Sequence, residues 1–393
     1  MRLLAIPNDA TSSYFRNDRG DFLSEFNPKE LGGKRFFEQV CFINWKDLED
    51  VEYEGIKSFA ILKDKTFAIN LVKDLGSGKS PFIYPLFTDF FLEEKDSIIK
   101  IAKEIDASLI RSFNADHAAE LGLIIREELK IPLVISVHNM PRVTDTVKEA
   151  DSLVCISECL RDKCIKEYRV NPERIALIPD GVDMNFFNPK KENEINNVVD
   201  LKYHKKYKIL SVGRINPQKN LGNLLESIKY IKDELKNVCH LHLGIGTLED
   251  TKKIIELKNS LGLNNVSYFL GGKQKRELPF YYSWADTTLF PSIYEGLGRV
   301  SIESLACGVP VVTTNYAPMN EVVKDNYNGL TADPQNPFDI SLKTIEILTN
   351  DNLRNSLSKK ARESVREKYG VDFVMQQHCD NYEKLIKKDK IKY

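Results

Sequence analysis

The chain has 393 residues, of which 42% are hydrophobic and 29% are charged, and its formal net charge is -1. This length favours two domains over a single core. The near-neutral charge provides no field that would favour nucleic acid or another polyanion as a partner. No run of 18 or more apolar residues occurs, so the sequence predicts no membrane span.

The cysteines and the N-terminus indicate the compartment. Seven cysteines are scattered along the chain, and the only local group, Cys155, Cys159 and Cys164, lacks a paired CxxC. The apolar stretch of residues 1–7 ends too early for a secretory signal. We therefore predict reduced cysteines and a cytoplasmic protein, with a peripheral position at the inner membrane face left open.

The first half of the chain alternates strand-length apolar runs with helix-like stretches. Residues 115–130 repeat their apolar side chains at helical spacing, and a second helix is predicted at 158–167. Continuous apolar strands that alternate with helices are typical of a parallel, doubly wound sheet. The predicted strands are residues 3–7, 40–45, 59–62, 82–86, 108–112, 133–138, 153–157 and 175–179.

A polar gap at residues 188–206 is rich in charge and asparagine. It predicts a linker between a first domain at 1–187 and a second domain at 207–370. The second domain repeats the alternation of strand and helix. Its strands are predicted at 208–212, 240–244, 266–269, 287–290, 311–314 and 329–331, and its helices at 220–234, 248–261 and 275–284.

Helical stretches finish the chain at residues 337–348, 352–367 and 371–386. The last of these is amphipathic, and we predict that it packs back on the first domain. The basic tail at 387–392 favours a frayed, solvated end, with contact to an anionic membrane as the alternative. The sequence predicts no particular oligomeric state.

The strongest functional pattern lies in the second domain. Gly296 and Gly298 free the backbone to approach a ligand just before a predicted helix at 299–306. The N–H groups at the start of that helix would attract an anion. Glu295 precedes the helix and Glu303 lies inside it, and a carboxylate accepts hydroxyl donors such as those of sugar and ribose diols.

A second pattern follows the predicted strand at 208–212. Gly213 ends that strand, and the loop after it carries Arg214 and Lys219. Arginine offers a bidentate fork to phosphate oxygens, and lysine adds a point charge. Taken alone, the two cations could also be ordinary solvated side chains with no ligand. Beside the acidic pattern, they fit a nucleoside diphosphate sugar.

The segment LHLGIGT contains a GxG after a strand, at Gly244 and Gly246. A tight turn explains this pair equally well, and the pattern does not continue to the spacing of a dinucleotide fingerprint. An NAD-dependent enzyme is therefore poorly supported.

Four motifs, SVGRINPQKN, LHLGIGT, VSYFLGG and ADTTLFPS, precede the acidic pair Glu295 and Glu303. In this order they resemble the retaining glycosyltransferases of family 4, from about residue 175 to about residue 333. The resemblance implies the GT-B fold, an α/β fold in which two doubly wound Rossmann-like domains face a central cleft.

The resemblance also implies roles for individual residues. Arg214 and Lys219 match a diphosphate-binding pair, and Glu303 matches the acid that holds the nucleotide ribose. Glu295, with the next three amides, matches the group that grips the donor sugar and its phosphate. His138 matches an active-site histidine at a strand end. The predicted catalytic residues are His138, Arg214, Lys219 and Glu295, and the predicted donor-binding residues are Gly213, Arg214, Lys219, Leu270, Glu295, Gly296, Leu297, Gly298 and Glu303.

The first domain is less typical of the family. Family members carry a glycine-rich loop after the first strand, whereas residues 8–14 lack a glycine pair and one comes only at 32–33. Three further candidates lie in this domain. They are His117, for which a capping turn is the alternative, Arg111 and Asn139.

We therefore predict a retaining glycosyltransferase that moves a sugar from a nucleoside diphosphate sugar to a hydroxyl acceptor, which is a glycan, a lipid or a small metabolite. The resemblance suggests front-face attack, with the cations and helix amides stabilising the departing diphosphate. No D-x-D triplet occurs, so no essential metal and no cofactor are expected. The alternatives are a nucleotide-sugar epimerase of the same fold and a non-catalytic nucleotide-sugar binding subunit.

Overall fold

A computed structural model describes the backbone at residues 2–6, 39–44, 51–53, 56–60, 95–113, 115, 117–138 and 143–390. The chain divides into two compact units. The first comprises Met1–Pro179 and Val374–Tyr393, and the second comprises Asp180–Phe373.

The described part of the first unit is organised by an eight-stranded sheet. Every neighbouring pair is parallel except the edge pair, which is antiparallel. The strands are β1 (Arg2–Ile6), β2 (Gln39–Asn44), β3 (Val51–Tyr53), β4 (Ile56–Ala60), β5 (Leu109–Ser112), β6 (Leu133–Val137), β7 (Ser152–Cys155) and β8 (Ile175–Leu177), in the order β3-β4-β2-β1-β5-β6-β7-β8. The described helices are α1 (residues 95–104), α2 (His117–Leu129) and α3 (Glu158–Tyr168).

The predicted strands and helices of this unit agree with the described ones to within a few residues, and neither β3 nor α1 was predicted. Three residues of an antiparallel edge are too short to produce a recognisable period. The strand predicted at 82–86, the loop at 8–14, the glycine pair at 32–33 and Asn139 lie outside the described residues.

The second unit contains a six-stranded sheet in which all neighbouring strands are parallel. Its strands are β9 (Tyr207–Val212), β10 (Val238–Leu243), β11 (Ser267–Phe269), β12 (Thr287–Phe290), β13 (Val311–Thr314) and β14 (Gly329–Ala332), in the order β11-β10-β9-β12-β13-β14. Its helices are α4 (Glu192–Asn196), α5 (Leu221–Glu234), α6 (Leu248–Ser260), α7 (Leu278–Trp284), α8 (Arg299–Ala306), α9 (Met319–Val322), α10 (Pro337–Thr349) and α11 (Asp351–Tyr369).

The core of the second unit explains why its strands could be predicted from the sequence. The central strands are apolar on both faces, and Ile209, Leu289 and Val312 are fully buried among residues of α5 and α10. Strands covered by helices on both faces give continuous apolar runs, which is the pattern that predicted them. The prediction of α8 at 299–306 is confirmed residue for residue.

Residues 188–206, predicted as a linker, lie inside the second unit. They form α4 and a short 3-10 helix at Leu201–Tyr203. Ile195 and Val199 are buried, and the Lys190 N–H donates to Ser283 Oγ over 3.0 Å. A segment that is polar in composition thus covers the sheet domain with a few apolar side chains.

The C-terminal helix α12 (Val371–Lys390) starts in the second unit, and its residues from Val374 onward belong to the first. Within the first unit, Asn381 Nδ2 donates to Ser152 Oγ over 3.1 Å. Val374 and Tyr382 are fully buried. Across the part of the chain that the structure describes, no helix is both long enough and apolar enough to cross a membrane.

Candidate functional site

The carboxyl ends of the strands in the second sheet form what we name the site edge. The chain passes from β9 to β10 on one side and returns to β12 on the other, so the strand order reverses between β9 and β12. Open parallel sheets bind ligands at such a switch point, outside the carboxyl ends of the strands. The loops that follow β9 and β12 begin at this position.

These two loops are tied together by their backbones. Ile293 donates its N–H to the Gln218 carbonyl over 2.9 Å. In return, the Gln218 side-chain amide donates to the Tyr294 carbonyl over 2.8 Å. The cationic loop after β9 and the glycine-rich loop after β12 therefore form one continuous structure at the site edge.

Lys219 and Glu295, both predicted site residues, form an ion pair. Each side chain is only 13% exposed. The backbone of Lys219 is fixed by Asn216, which accepts its N–H, and the Lys219 ammonium lies 5.0 Å from the centre of the Phe290 ring. The Lys219 charge is thus held at the site edge, and the Glu295 carboxylate neutralises it.

Arg214 lies in the same loop as Lys219 and is exposed. Its side chain makes no ion pair or hydrogen bond with any residue in the described ranges. It follows Gly213, whose N–H donates to the Leu243 carbonyl over 2.9 Å, so the start of its loop is anchored to β10. The guanidinium is the exposed cation of the loop after β9.

The turn before α8 presents three successive N–H groups. Gly298 has φ +90°, a conformation that strongly favours glycine, and α8 begins directly after it. The N–H groups of Gly296, Leu297 and Gly298 donate to none of the residues that the structure describes. The start of an eight-residue helix with such N–H groups is suited to binding an anion.

Glu303 lies inside α8 and is 9% exposed. Its carboxylate accepts the Tyr282 hydroxyl over 2.8 Å. The sequence singled out Glu303 and missed Tyr282, because the two residues lie on different helices and no spacing rule connects them.

The GxG after β10 has a structural cause. A Cβ on Gly244 would lie 1.7 Å from the Gly213 carbonyl oxygen, and one on Gly246 would lie 2.2 Å from the Ile215 carbonyl oxygen. The pair is therefore needed where the loops after β9 and β10 approach closely. Leu270 extends this contact, since its N–H donates to the His242 carbonyl over 2.9 Å.

A neutral polar cluster, which the sequence did not single out, lies inside the sheet near this edge. Ser211 Oγ is 2.8 Å from His240 Nε2 and 2.8 Å from His242 Nδ1, and His240 Nδ1 is 2.8 Å from Ser267 Oγ. Burial lowers the pKa of His240 to about 3, and His242 adds to this effect. Burial also lowers the pKa of His242 to about 4. Both imidazoles are therefore neutral at pH 7.

The first-unit candidates are placed as follows. His138 is half-buried and directly follows the carboxyl end of β6. Arg111 is buried in β5, where its Nε donates to Ser136 Oγ over 3.2 Å and its guanidinium lies 4.2 Å from the Phe113 ring centre. His117 begins α2. Within the described residues, no group of three or more His, Cys, Asp or Glu is placed to hold a metal ion.

Comparison with known proteins supports a class for this fold and site. The family described as Glycosyl transferases group 1 matches residues 192–364, and the one described as Glycosyltransferase Family 4 matches residues 74–186. The crystal structure of Anabaena HepE in complex with UDP-glucose is similar with a TM-score of 0.76, at 17% identity over 98% of this chain and 100% of that one. The fold is therefore GT-B.

Two relatives give the same class by sequence. An uncharacterised glycosyltransferase of Methanocaldococcus jannaschii is 27% identical over 67% of this chain and 73% of its own length. The UDP-Gal:alpha-D-GlcNAc-diphosphoundecaprenol alpha-1,3-galactosyltransferase of Escherichia coli is 23% identical over 82% of this chain and 91% of its own length. The chain belongs to the family-4, group 1 glycosyltransferases, and it is a glycosyltransferase enzyme, as the sequence motifs predicted.

Proposed function

We propose that the protein transfers a sugar from a nucleoside diphosphate sugar to a hydroxyl acceptor, with retention at the anomeric carbon. The observation that carries this proposal is the run of three N–H groups at Gly296, Leu297 and Gly298, next to the Lys219–Glu295 ion pair. Backbone N–H groups at a helix start bind phosphate without a metal.

The cations explain how a diphosphate would be stabilised as it departs. Breaking the bond to the sugar builds negative charge on the diphosphate, and preorganised donors stabilise developing charge most effectively. Arg214 is exposed, and Lys219 is held beside the same loop by Glu295. We infer that Arg214, Lys219 and the amides supply this stabilisation, so that neither a divalent metal nor another cofactor is required.

The two carboxylates are proposed to hold hydroxyl groups at the two ends of the diphosphate. Glu303 accepts the Tyr282 hydroxyl, which orients its carboxylate, and this carboxylate is proposed to hold the ribose diol. Glu295 accepts from Lys219, and its remaining lone pairs suit hydroxyl groups of the donor sugar. Gly213 and Leu270 would contact the donor through their backbones.

UDP-glucose is the ligand of the HepE complex, and the galactosyltransferase relative is named for a UDP-Gal donor. These relatives support a nucleotide sugar as the donor of this chain and make UDP-sugars the first to test. No observation favours the epimerase or the non-catalytic subunit. His138 is proposed to act in catalysis from the carboxyl end of β6, as the resemblance to the family suggests.

A thermal-shift screen tests the donor site. The wild type is mixed with UDP-glucose, UDP-galactose, GDP-mannose and ADP-glucose, each with EDTA present. A ligand at about one hundred times its Kd adds about 2.7 kcal/mol of stability. We expect one nucleotide family to stabilise the wild type and to lose this effect in Arg214→Ala.

Arg366→Ala is the matched control for this screen, because Arg366 is an exposed arginine on α11. It should respond as the wild type does. If no nucleotide sugar stabilises the wild type, or if Arg214→Ala responds equally, the donor-site proposal is wrong. The anomeric configuration of the product, read by proton NMR, tests retention.

A further inference from the structure

The buried cluster formed by Ser211, His240, His242 and Ser267 is not part of the ligand-facing site, yet it ends at the loop that carries Arg214. All four side chains are at most 2% exposed. The residues lie on three neighbouring strands, β9, β10 and β11, so their contacts are fixed by the register of the sheet.

His242 connects this cluster to the site edge. Its Nε2 is buried and lies outside hydrogen-bonding geometry with any described residue. A Cβ on Gly244 would lie 1.7 Å from the Gly213 carbonyl oxygen and 3.3 Å from His242 Nε2, so both atoms border the same space. The backbone of Gly213 also opposes the lowering of the His242 pKa by burial, as expected for a carbonyl that faces a ring N–H.

The direction of the hydrogen bonds follows from counting hydrogens. The Ser211 hydroxyl has one hydrogen and lies 2.8 Å from a nitrogen of each imidazole, so it donates to one and accepts from the other. If His242 carried its hydrogen on Nδ1, a bare Nε2 lone pair would face the Gly213 carbonyl oxygen, which is repulsive. The hydrogen therefore belongs on Nε2.

The other positions are then determined. Ser211 donates to His242 Nδ1 and accepts from His240 Nε2–H, and His240 Nδ1 accepts from Ser267. Each group in this series of hydrogen bonds donates to the next one in the direction of Gly213. The Gly213 N–H is meanwhile fixed by the Leu243 carbonyl over 2.9 Å.

We propose that this directed hydrogen-bond chain positions the loop between Gly213 and Lys219 for binding of the donor diphosphate, which makes His242 a positioning residue. The inference rests on the proposed function. When the diphosphate binds, the His242 Nε2–H completes its hydrogen bond to the Gly213 carbonyl and holds Arg214 and Lys219 in place. The imidazole itself does not touch the donor.

Two substitutions at one position separate this role from packing. His242→Asn keeps an atom near Nδ1 to pair with Ser211 and removes the group facing Gly213. His242→Gln keeps a donor near the position of Nε2. Both lose the ring that packs 4.9 Å from Phe269, so they serve as matched variants.

The measurement is the Kd of UDP, GDP and ADP by calorimetry, with the unfolding midpoint of each variant recorded. We expect His242→Asn to weaken binding of the preferred nucleotide about threefold to tenfold, the range of one hydrogen bond. His242→Gln should stay within about twofold of the wild type. If both variants bind as the wild type does and only their midpoints fall, the role is merely structural and the inference is wrong. If the wild type binds none of the three nucleotides, the proposed function itself fails and the positioning role falls with it.

The tautomers can be tested without any substitution that affects folding. Imidazole nitrogen NMR of the wild-type protein at neutral pH should show His240 and His242 neutral, with the hydrogen on Nε2 of each. A hydrogen on Nδ1 of His242 would reverse the direction of these hydrogen bonds and overturn the inference.

Discussion

Two sets of polar residues in the second unit, one at the site edge and one inside the sheet next to it, differ in charge. The charged set contains Arg214, Lys219, Glu295 and Glu303, and the neutral set contains Ser211, His240, His242 and Ser267. The neutral set is almost wholly buried and is joined by internal hydrogen bonds at every ring nitrogen except His242 Nε2, and burial keeps its histidines uncharged. In the charged set, Lys219 pairs with Glu295, Arg214 is exposed, and the buried Glu303 accepts the Tyr282 hydroxyl. The contrast fits the proposed site, in which an anionic ligand would compensate the charge of Arg214, whereas the neutral set contacts no ligand.

Removing the paired cation should have the largest effect. Lys219→Ala leaves the partly buried Glu295 carboxylate without its cation and removes a charge from the proposed diphosphate site. We expect kcat to fall about 100-fold to 1000-fold, as for loss of a preorganised donor. The assay is release of nucleoside diphosphate from the sugar nucleotide found in the thermal-shift screen. Lys229→Ala, at a partly exposed lysine paired with Asp233, should remain within about twofold. A Lys219→Ala enzyme with near-normal kcat would contradict the assignment.

Neutralising the buried acid should have the next effect. In Glu303→Gln, the amide oxygen can still accept from Tyr282, so the fold is preserved while the charge is lost. Hydrogen bonds to charged groups contribute more than neutral ones, and we expect the donor KM to rise about tenfold to 100-fold. Steady-state kinetics with varied donor measures this change. A rise in KM below about twofold would remove Glu303 from the donor site.

The neutral set should make stability depend on pH. The pKa values of His240 and His242 are lowered to about 3 and about 4 in the folded state, against about 6.5 in an unfolded chain. The unfolded state therefore binds more protons below pH 6.5, and stability falls as the pH falls toward 4. Between pH 6.5 and 5.5 the loss should be about 1 kcal/mol for each histidine.

Urea unfolding at several pH values measures that loss. His242→Gln removes one of the two titrating groups, so its stability should fall about half as steeply over the same window. If the wild type and His242→Gln have parallel profiles from pH 6.5 to 5.5, His242 does not titrate as its burial requires.

The smallest effect is expected at the hydroxyl that orients Glu303. Tyr282→Phe removes that hydroxyl and leaves the carboxylate charged. One hydrogen bond corresponds to a rise in donor KM of about twofold to tenfold, below that of Glu303→Gln. Steady-state kinetics with varied donor, measured for both variants in parallel, rank the two rises in KM. If Tyr282→Phe raised the donor KM more than Glu303→Gln does, the tyrosine would have a role beyond orienting the acid.

Much of the second unit could be predicted because its signals are local. The bounds of α8 and of the strands Thr287–Phe290 and Val311–Thr314 follow from apolar runs that turn residues interrupt. The linker prediction at 188–206 failed to anticipate packing, because composition alone does not show that Ile195 and Val199 are buried.

Partnerships between distant residues were beyond the sequence. Lys219 and Glu295 were both singled out, but their ion pair joins residues 76 positions apart and depends on the strand order. The His-Leu-His alternation in β10 places both histidines on one face, and this signal could have identified the neutral set. It gives no information about Ser211 and Ser267 until the neighbouring strands are known.

The N–H groups before α8 are proposed to hold the diphosphate of the donor. The most direct measurement is the change in the amide NMR signals of Gly296, Leu297 and Gly298 when UDP, or the nucleotide preferred in the screen, is added to the protein in EDTA. If the diphosphate is held there, the signals of all three amides should shift strongly and saturate with the Kd measured by calorimetry. Saturable binding that leaves these three signals unchanged would exclude this placement of the diphosphate.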